Sequence, residues 1–220
     1  MNLDRIFLSE SHPCGKELHY VQHALEAKAI TSGGNVVRDF EEDLECYLGN
    51  NVIVNATNSG TSAIHLGLLL LGVKPGDEVI CQSMTFSASV NPILYIGASP
   101  VFVDSELDTW NMCPIALEEA IQDRISKGKK PKCIIVVDLY GMPYHADRIN
   151  EVANKHGIAV LEDSAEALGS RYKGVPCGTL GDIGVFSFNG NKIITTSSGG
   201  ALLLSDASQK ERAAFLATQA

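Results

Sequence analysis

The sequence predicts an α/β protein built on one doubly wound, mostly parallel sheet of seven strands flanked by helices. Apolar runs suited to strands alternate with stretches of helical periodicity, such as 114–126 and 146–156. Strands joined by helical crossovers of roughly 10–15 residues are typical of a parallel sheet. No linker or internal repeat divides the 220 residues, so one domain is predicted. The predicted strands lie at 51–55, 78–82, 100–104, 132–138, 158–161, 183–188 and 201–204.

Two amphipathic helices are predicted before the first strand. Residues 16–30 carry apolar side chains on one face, and this helix is expected to stop at the Thr-Ser-Gly-Gly run 31–34. Apolar residues at a spacing of four between 40 and 48 indicate a second helix that ends at Gly49. At the other end of the chain, a helix is predicted over 207–217.

Composition excludes several classes of function. Nucleic acids and anionic membranes are bound mainly through Lys and Arg, so a chain with a net charge of −9 is predicted to bind neither. The six cysteines form no C-x-x-C pair, and no metal site is predicted. The chain has no basic-then-apolar N-terminus and no apolar run of about 18 residues, which predicts a cytoplasmic protein.

The first strand leads into an apolar helix whose start is suited to anion binding. Asn58-Ser59-Gly60-Thr61 precedes the helix predicted at 62–71. The first turn of a helix has unpaired N–H groups and the positive end of the dipole, and Gly60 leaves the backbone open to a phosphate. The hydroxyl group of Thr61 adds a donor. The alternative is a serine N-cap without any ligand, which would explain the same residues.

Three further side chains follow predicted strands at the same edge of the sheet. Phe86 comes after the strand at 78–82, while Asp163 and Glu166 come directly after the strand at 158–161. Ligands of open parallel sheets bind at the carboxyl ends of the strands, where an aromatic ring can stack on a flat cofactor. Asp163 and Glu166 would point the same way if a helical turn began there. The alternative for Phe86 is an ordinary core position.

Lys192 lies in the polar loop between the last two predicted strands. A lysine held beside buried strands can act as an amine nucleophile toward an aldehyde cofactor. The alternative is a solvated surface lysine, which the local sequence alone favours. One edge of the predicted sheet thus combines a phosphate-binding helix start, an aromatic ring, a carboxylate and an amine. Together they predict a pocket for pyridoxal 5′-phosphate. Ser187 is near enough in sequence to Lys192 to add a phosphate contact.

Four segments resemble successive blocks of the DegT/DnrJ family of pyridoxal-phosphate-dependent sugar aminotransferases. They read NSGTSAIHLGLLLLGVKPGDEVI, SMTFSASVNPILYIGASPVFVD, AVLEDSAEALGSRYKG and GDIGVFSFNGNKIITTSSGG. The family has the large domain of the aspartate-aminotransferase type, which is fold type I of these transferases. The resemblance implies that residues 1–220 form the cofactor-binding large domain, with the N-terminal helical segment of about 50 residues included. It also implies that the smaller C-terminal domain of the family is absent from this chain.

The resemblance implies a role for each candidate site residue. Lys192 would be the Schiff-base lysine and Asp163 the partner of the pyridine nitrogen, so both would be catalytic. Phe86 would stack on the cofactor, and Glu166 would stand near the cofactor hydroxyl group, where the family often has Gln. The residues expected to bind the phosphate are Gly60, Thr61 and Ser187.

The reaction implied by the resemblance is an amino transfer in two halves. An amino acid, expected to be glutamate, would load the amino group, and a nucleotide-linked 4-keto sugar would accept it for polysaccharide biosynthesis. The loop FNGNK resembles that of members acting on UDP-linked 4-keto-6-deoxy acetamido sugars. Resembling enzymes work as homodimers, so self-association is expected. This chain departs from the family at Asp138, where His is common, and at Ser197-Ser198, where Gly-Glu or Gly-Gly is common.

Three other functions are alternatives to amino transfer. A nicotinamide-dependent dehydrogenase would need a G-x-G-x-x-G motif after a strand, and the sequence has none. A pyridoxal-phosphate-dependent sugar dehydratase shares the fold, but such relatives have His where this chain has Lys192. A large domain that binds the cofactor or a partner without catalysis remains the third alternative.

Overall fold

A computed structural model of the protein describes residues 13–30, 34–49 and 51–218. Seven strands form the main sheet: β1 (Ile53–Thr57), β2 (Glu78–Gln82), β3 (Ser99–Val103), β4 (Cys133–Val137), β5 (Ala159–Asp163), β8 (Ile183–Ser187) and β9 (Gly200–Leu204). Their spatial order is β1-β9-β8-β5-β4-β2-β3. A separate hairpin consists of β6 (Arg171–Tyr172) and β7 (Val175–Pro176). The predicted α/β class and the predicted seven-stranded sheet are therefore confirmed.

The helices of the described part of the chain alternate with these strands. They are α1 (Glu17–Glu26), α2 (Asn35–Leu48), α3 (Gly60–Leu70), α4 (Asn91–Tyr95), α5 (Pro114–Ser126), α6 (Ala146–His156) and α7 (Ala207–Thr218). Local residues explain several of their ends. Pro114 begins α5, where a missing N–H costs nothing, and Gly157 ends α6 with a left-handed backbone at φ 58°.

Six of the seven strands run in the same direction, and β9 runs against them. The pairs β2–β3, β2–β4, β4–β5 and β5–β8 are parallel, whereas β9 is antiparallel to both β1 and β8. The chain passes from β8 to β9 through the loop 188–199 without a helical crossover, so β9 returns in the opposite direction. The loop that contains Lys192 consequently lies at the carboxyl end of β8.

Helices pack on both faces of the sheet, as a doubly wound fold requires. One core joins α3, α4 and α7 to side chains such as Val79, Leu161 and Leu202, and the opposite core joins α5 and α6 to side chains such as Ile80 and Val160. Neighbouring strand residues alternate between the two cores because side chains of a strand point to opposite faces.

The structure differs from the sequence predictions at several element ends. The first strand begins at Ile53, and α3 begins at Gly60, two residues before its predicted start. Helix α1 ends at Glu26. It buries none of its side chains, and its large apolar residues are exposed. Of the predicted stop at 31–34, residues 31–33 lie outside the described residues. Among the described residues, no helix has the length and apolar character needed to cross a bilayer.

Candidate active site

The start of α3 lies against the end of β8. Ser59 is the N-cap of α3, and its hydroxyl oxygen accepts a hydrogen bond from the Ser62 N–H at 3.1 Å. A Cβ atom on Gly60 would lie 2.9 Å from the Cβ of Ser187, so only glycine allows this approach. Thr61 and Ser187 are both half-buried at this junction. The structure therefore brings together the three residues predicted to bind phosphate, at a helix N-terminus suited to an anion.

Asp163, the last residue of β5, is buried at this edge of the sheet. Its Oδ2 accepts a 2.6 Å hydrogen bond from the Ser89 hydroxyl group, and its Oδ1 accepts one from the Ala165 N–H at 3.2 Å. Burial raises the pKa of Asp163, while these two bonds and the charge of Lys192 act in the opposite direction. A carboxylate desolvated to this degree is stabilised by a cationic partner, so Asp163 is suited to a protonated nitrogen.

Lys192 is not a solvated surface lysine in this structure. Its side chain is 10% exposed, and its Nζ lies 2.9 Å from Oε1 of Glu166. The other oxygen of Glu166 accepts a hydrogen bond from the Tyr140 N–H at 3.0 Å. Residues 164–167 form a turn with a hydrogen bond from the Ala167 N–H to the Ser164 carbonyl, rather than the start of a helix. The helical turn that would point Asp163 and Glu166 the same way is therefore not present. Asp163 contacts Ser89, Glu166 contacts Tyr140, and both acids lie near Lys192.

The loop that contains Lys192 is fixed at both of its ends. Phe188 donates its N–H to the Gly199 carbonyl at 2.9 Å, and the Ser198 hydroxyl group donates to the Asn58 carbonyl at 2.6 Å. The second bond connects the lysine loop to the residues that precede α3. Ser197 has a left-handed backbone at φ 70°, a conformation that favours glycine.

Phe86 lies in the loop after β2 and is 72% exposed. The same loop continues into a short 3-10 turn, Ser87–Ser89, whose last residue contacts Asp163. Phe86 is therefore not a core residue, and its ring is free to cover a flat ligand at the carboxyl edge of the sheet.

Sequence reasoning missed two residues of this site. Ser89 holds the Asp163 carboxylate, and Ser198 anchors the lysine loop. Both occur in runs of small polar residues after strands, which is a weak signal that many loops share. Only the strand order shows that the Ser89 loop reaches across β4 to β5.

The class of protein that this fold and site define is that of the pyridoxal-phosphate-dependent aminotransferases. The sugar aminotransferase Spr1654 of Streptococcus pneumoniae, solved in its PLP form, superposes with a TM-score of 0.87 at 33% identity over 96% of this chain and 57% of that one. The model of the DegT/DnrJ/EryC1/StrS aminotransferase family matches residues 14–220, and the chain belongs to that family. The family resemblance noted in the sequence is thereby confirmed.

Two curated relatives give the similarity more detail. EpsN of Bacillus subtilis, which carries the name pyridoxal phosphate-dependent aminotransferase, is 50% identical over 98% of this chain and 55% of its own length. GDP-perosamine synthase of Escherichia coli O157:H7 is 44% identical over 90% of this chain and 52% of its own length. The chain therefore spans about half the length of the curated relatives it matches.

A dehydratase also shares the fold: GDP-4-keto-6-deoxy-D-mannose-3-dehydratase of E. coli superposes with a TM-score of 0.85 at 28% identity over 94% of this chain and 53% of that one.

Proposed function

We propose that this chain is the cofactor-binding part of an enzyme that transfers an amino group from an amino acid to a nucleotide-linked 4-keto sugar. The observation that carries the proposal is the meeting of Lys192 and Asp163 at one sheet edge, beside the N-terminus of α3. The family and the names of the relatives support amino transfer to sugars.

The residues present fit pyridoxal phosphate. When bound, this cofactor supplies a carbonyl group that captures amines and a ring that withdraws electrons from the captured substrate. Gly60, Thr61 and Ser187 would hold its phosphate, because a side chain at Gly60 would fill the space that the backbone leaves there. Phe86 would cover the ring, and Glu166 would lie beside the cofactor hydroxyl group.

Two side chains of the protein would handle protons. The carboxylate of Asp163 would hold a proton on the ring nitrogen, and Ser89 and the Ala165 N–H fix the orientation of that carboxylate. The Nζ of Lys192, once separated from Glu166, would bind the cofactor and then move a proton to and from the substrate carbon.

Glutamate is the amino donor that we propose, and a UDP-linked 4-keto-6-deoxy acetamido sugar is the acceptor. The acceptor is chosen on the sequence of the lysine loop, whereas the names of three relatives specify a GDP-linked sugar. Comparing UDP-linked and GDP-linked keto sugars as amino acceptors would decide between the two nucleotides. Cytoplasmic location and a homodimer belong to the same proposal.

The role of Lys192 is tested by trapping the cofactor. After incubation with pyridoxal phosphate, borohydride reduction should fix a pyridoxyl group on Lys192, and peptide mapping by mass spectrometry locates it. Lys192→Arg keeps the charge and should lose the label. A label on another lysine, or none in the wild-type protein, contradicts the proposal.

The two remaining alternatives predict other results. A domain that binds the cofactor without catalysis would take the label, but its bound cofactor would not change its absorption spectrum when glutamate is added. A dehydratase would release a sugar that has lost a hydroxyl group and carries no new amino group. A single-turnover spectral change with glutamate, followed by a sugar product that carries the donor's amino group by mass spectrometry, would therefore support amino transfer over both.

A further inference from the structure

The carboxylate of Glu166 joins two parts of the chain that are distant in sequence. Its Oε1 lies 2.9 Å from Nζ of Lys192, and its Oε2 accepts the Tyr140 N–H at 3.0 Å. Glu166 is 30% exposed, whereas the lysine side chain is 10% exposed. Both oxygens of one carboxylate are thus used, one by the lysine loop and one by the turn after β4.

That turn is held closely against the residues around Glu166. Leu139–Gly141 form a short 3-10 turn in which Tyr140 has a left-handed backbone at φ 52° and Gly141 has φ 83°. A Cβ on Gly141 would lie 3.0 Å from the Glu166 carbonyl oxygen. A non-glycine residue keeps such a backbone only where its surroundings enforce it, and the bond from Tyr140 to Glu166 is part of that enforcement.

Two carboxylates face the lysine ammonium group in the described part of the chain. Asp163 is already bonded to Ser89 and to the Ala165 N–H, and the charge of Lys192 lowers the pKa of its carboxyl group. Glu166 makes the direct contact. An ammonium group that has lost most of its water needs such a partner, but only a neutral amine is a nucleophile. The contact that stabilises Lys192 therefore opposes its reaction.

We propose that Glu166 is a positioning residue that holds Lys192 at the turn after β4 as an unreactive ammonium group until a ligand separates the pair. The part played by Lys192 in this inference rests on the proposed function. The proton lost by Lys192 on reaction passes to water.

The inference can be tested without any cofactor. Ligand-free wild-type protein and Glu166→Gln are treated with a small amount of acetic anhydride at one fixed pH, and the acetylation of each lysine is measured by peptide mass spectrometry. Gln can still accept the Tyr140 N–H but carries no charge. Lys192 should react about tenfold faster in the variant, the effect expected when one charge-assisted hydrogen bond is lost.

Matched controls separate this effect from a general loosening of the fold. Asp147 pairs with Lys173 at 2.8 Å on the surface, so Asp147→Asn should leave the acetylation of Lys192 unchanged. Lys210, which is 34% exposed and paired with Glu41, reports on loosening elsewhere. Equal Lys192 rates in wild type and Glu166→Gln, or a parallel rise at Lys210, would overturn the inference. Because no cofactor is present, either result leaves the pyridoxyl-labelling test of the proposed function independent.

Discussion

At the scale of single residues, the site depends on the burial and hydrogen bonding of the Asp163 carboxylate. Its carboxylate is removed from water, which raises its pKa, and it accepts hydrogen bonds from Ser89 and from the Ala165 N–H. A charged nitrogen arriving beside it would favour the ionised form by direct attraction. The Asp163 side chain is thus suited to a cationic partner in addition to the charge of Lys192.

We expect Asp163→Asn to retain pyridoxal phosphate on Lys192 and to slow the half-reaction with glutamate by roughly 10²–10³-fold. A neutral amide cannot hold the ring nitrogen protonated, so electron withdrawal by the ring weakens. Cofactor retention is measured by the borohydride label and the rate by single-turnover absorbance. The exposed substitution Asp147→Asn is the control. A rate within a few-fold of wild type would show that Asp163 does not act on the ring nitrogen.

At the scale of secondary-structure elements, the ends of β4 and β5 place two acids side by side in the interior. Asp138 and Glu162 are both fully buried, and the Ser164 hydroxyl group lies 2.6 Å from Asp138 Oδ2 and 3.1 Å from Glu162 Oε1. Glu162 also accepts backbone N–H groups, which tie the segment after β7 to β5. These donors are on Gly178, Leu180 and Gly181. Desolvation opposes ionisation of both acids, and the charge of Asp138 further opposes ionisation of Glu162, so the pair retains a proton.

Stability should consequently fall as pH rises toward 8. Burial and the neighbouring Asp138 raise the pKa of Glu162 to about 8, and burial also raises the pKa of Asp138. Unfolded carboxyl groups titrate near 4, so above that pH the folded protein holds a proton that the unfolded chain has released. This proton stabilises the fold fully below the unfolded pKa, and the stabilisation is lost, at about 1.4 kcal/mol per pH unit, as pH approaches the folded value.

The pair is tested by urea unfolding at pH 5.5, 6.5 and 7.5. Asp138→Asn replaces the shared proton with an amide N–H, so its free energy of unfolding should depend less on pH than that of the wild type. The nearby Tyr144 and Cys177 have raised pKa values and stay neutral in this range. Asp147→Asn is the control, because the pKa of Asp147 is lowered and its titration lies below this range. Parallel curves for wild type and Asp138→Asn would disprove the shared proton.

At the scale of the whole molecule, glycines set how closely the layers approach. A Cβ on Gly67 of α3 would lie 2.7 Å from Cδ1 of Leu161, so this glycine allows the helix to lie directly on β5. On β8, a Cβ on Gly184 would overlap the carbonyl oxygen of Gly178. The segment that follows the β6–β7 hairpin therefore packs against β8 through backbone atoms, which cannot move aside as a flexible side chain can.

Gly184→Ala is expected to destabilise the protein by about 3 kcal/mol or more, because it forces the Gly178 backbone away from β8. The control is Gly190→Ala, where the added Cβ meets no atom within 4 Å, and its effect should stay within about 0.5 kcal/mol. Urea unfolding at neutral pH measures both. Similar midpoints for the two variants would mean that the contact at Gly184 relaxes at little cost.

The sequence by itself determined the succession of strands and helices along the chain. It also identified the edge of the sheet at which Gly60, Asp163 and Lys192 meet. Those predictions follow from local periodicity and from the rule that parallel strands end at one edge, so they need no knowledge of distant contacts. Only the tertiary structure decided the contacts made at that edge. Ser89 reaches Asp163 across 74 residues of sequence, and Glu166 pairs with Lys192. Such contacts depend on the spatial order of the strands in the sheet and on side-chain direction, which no local pattern specifies.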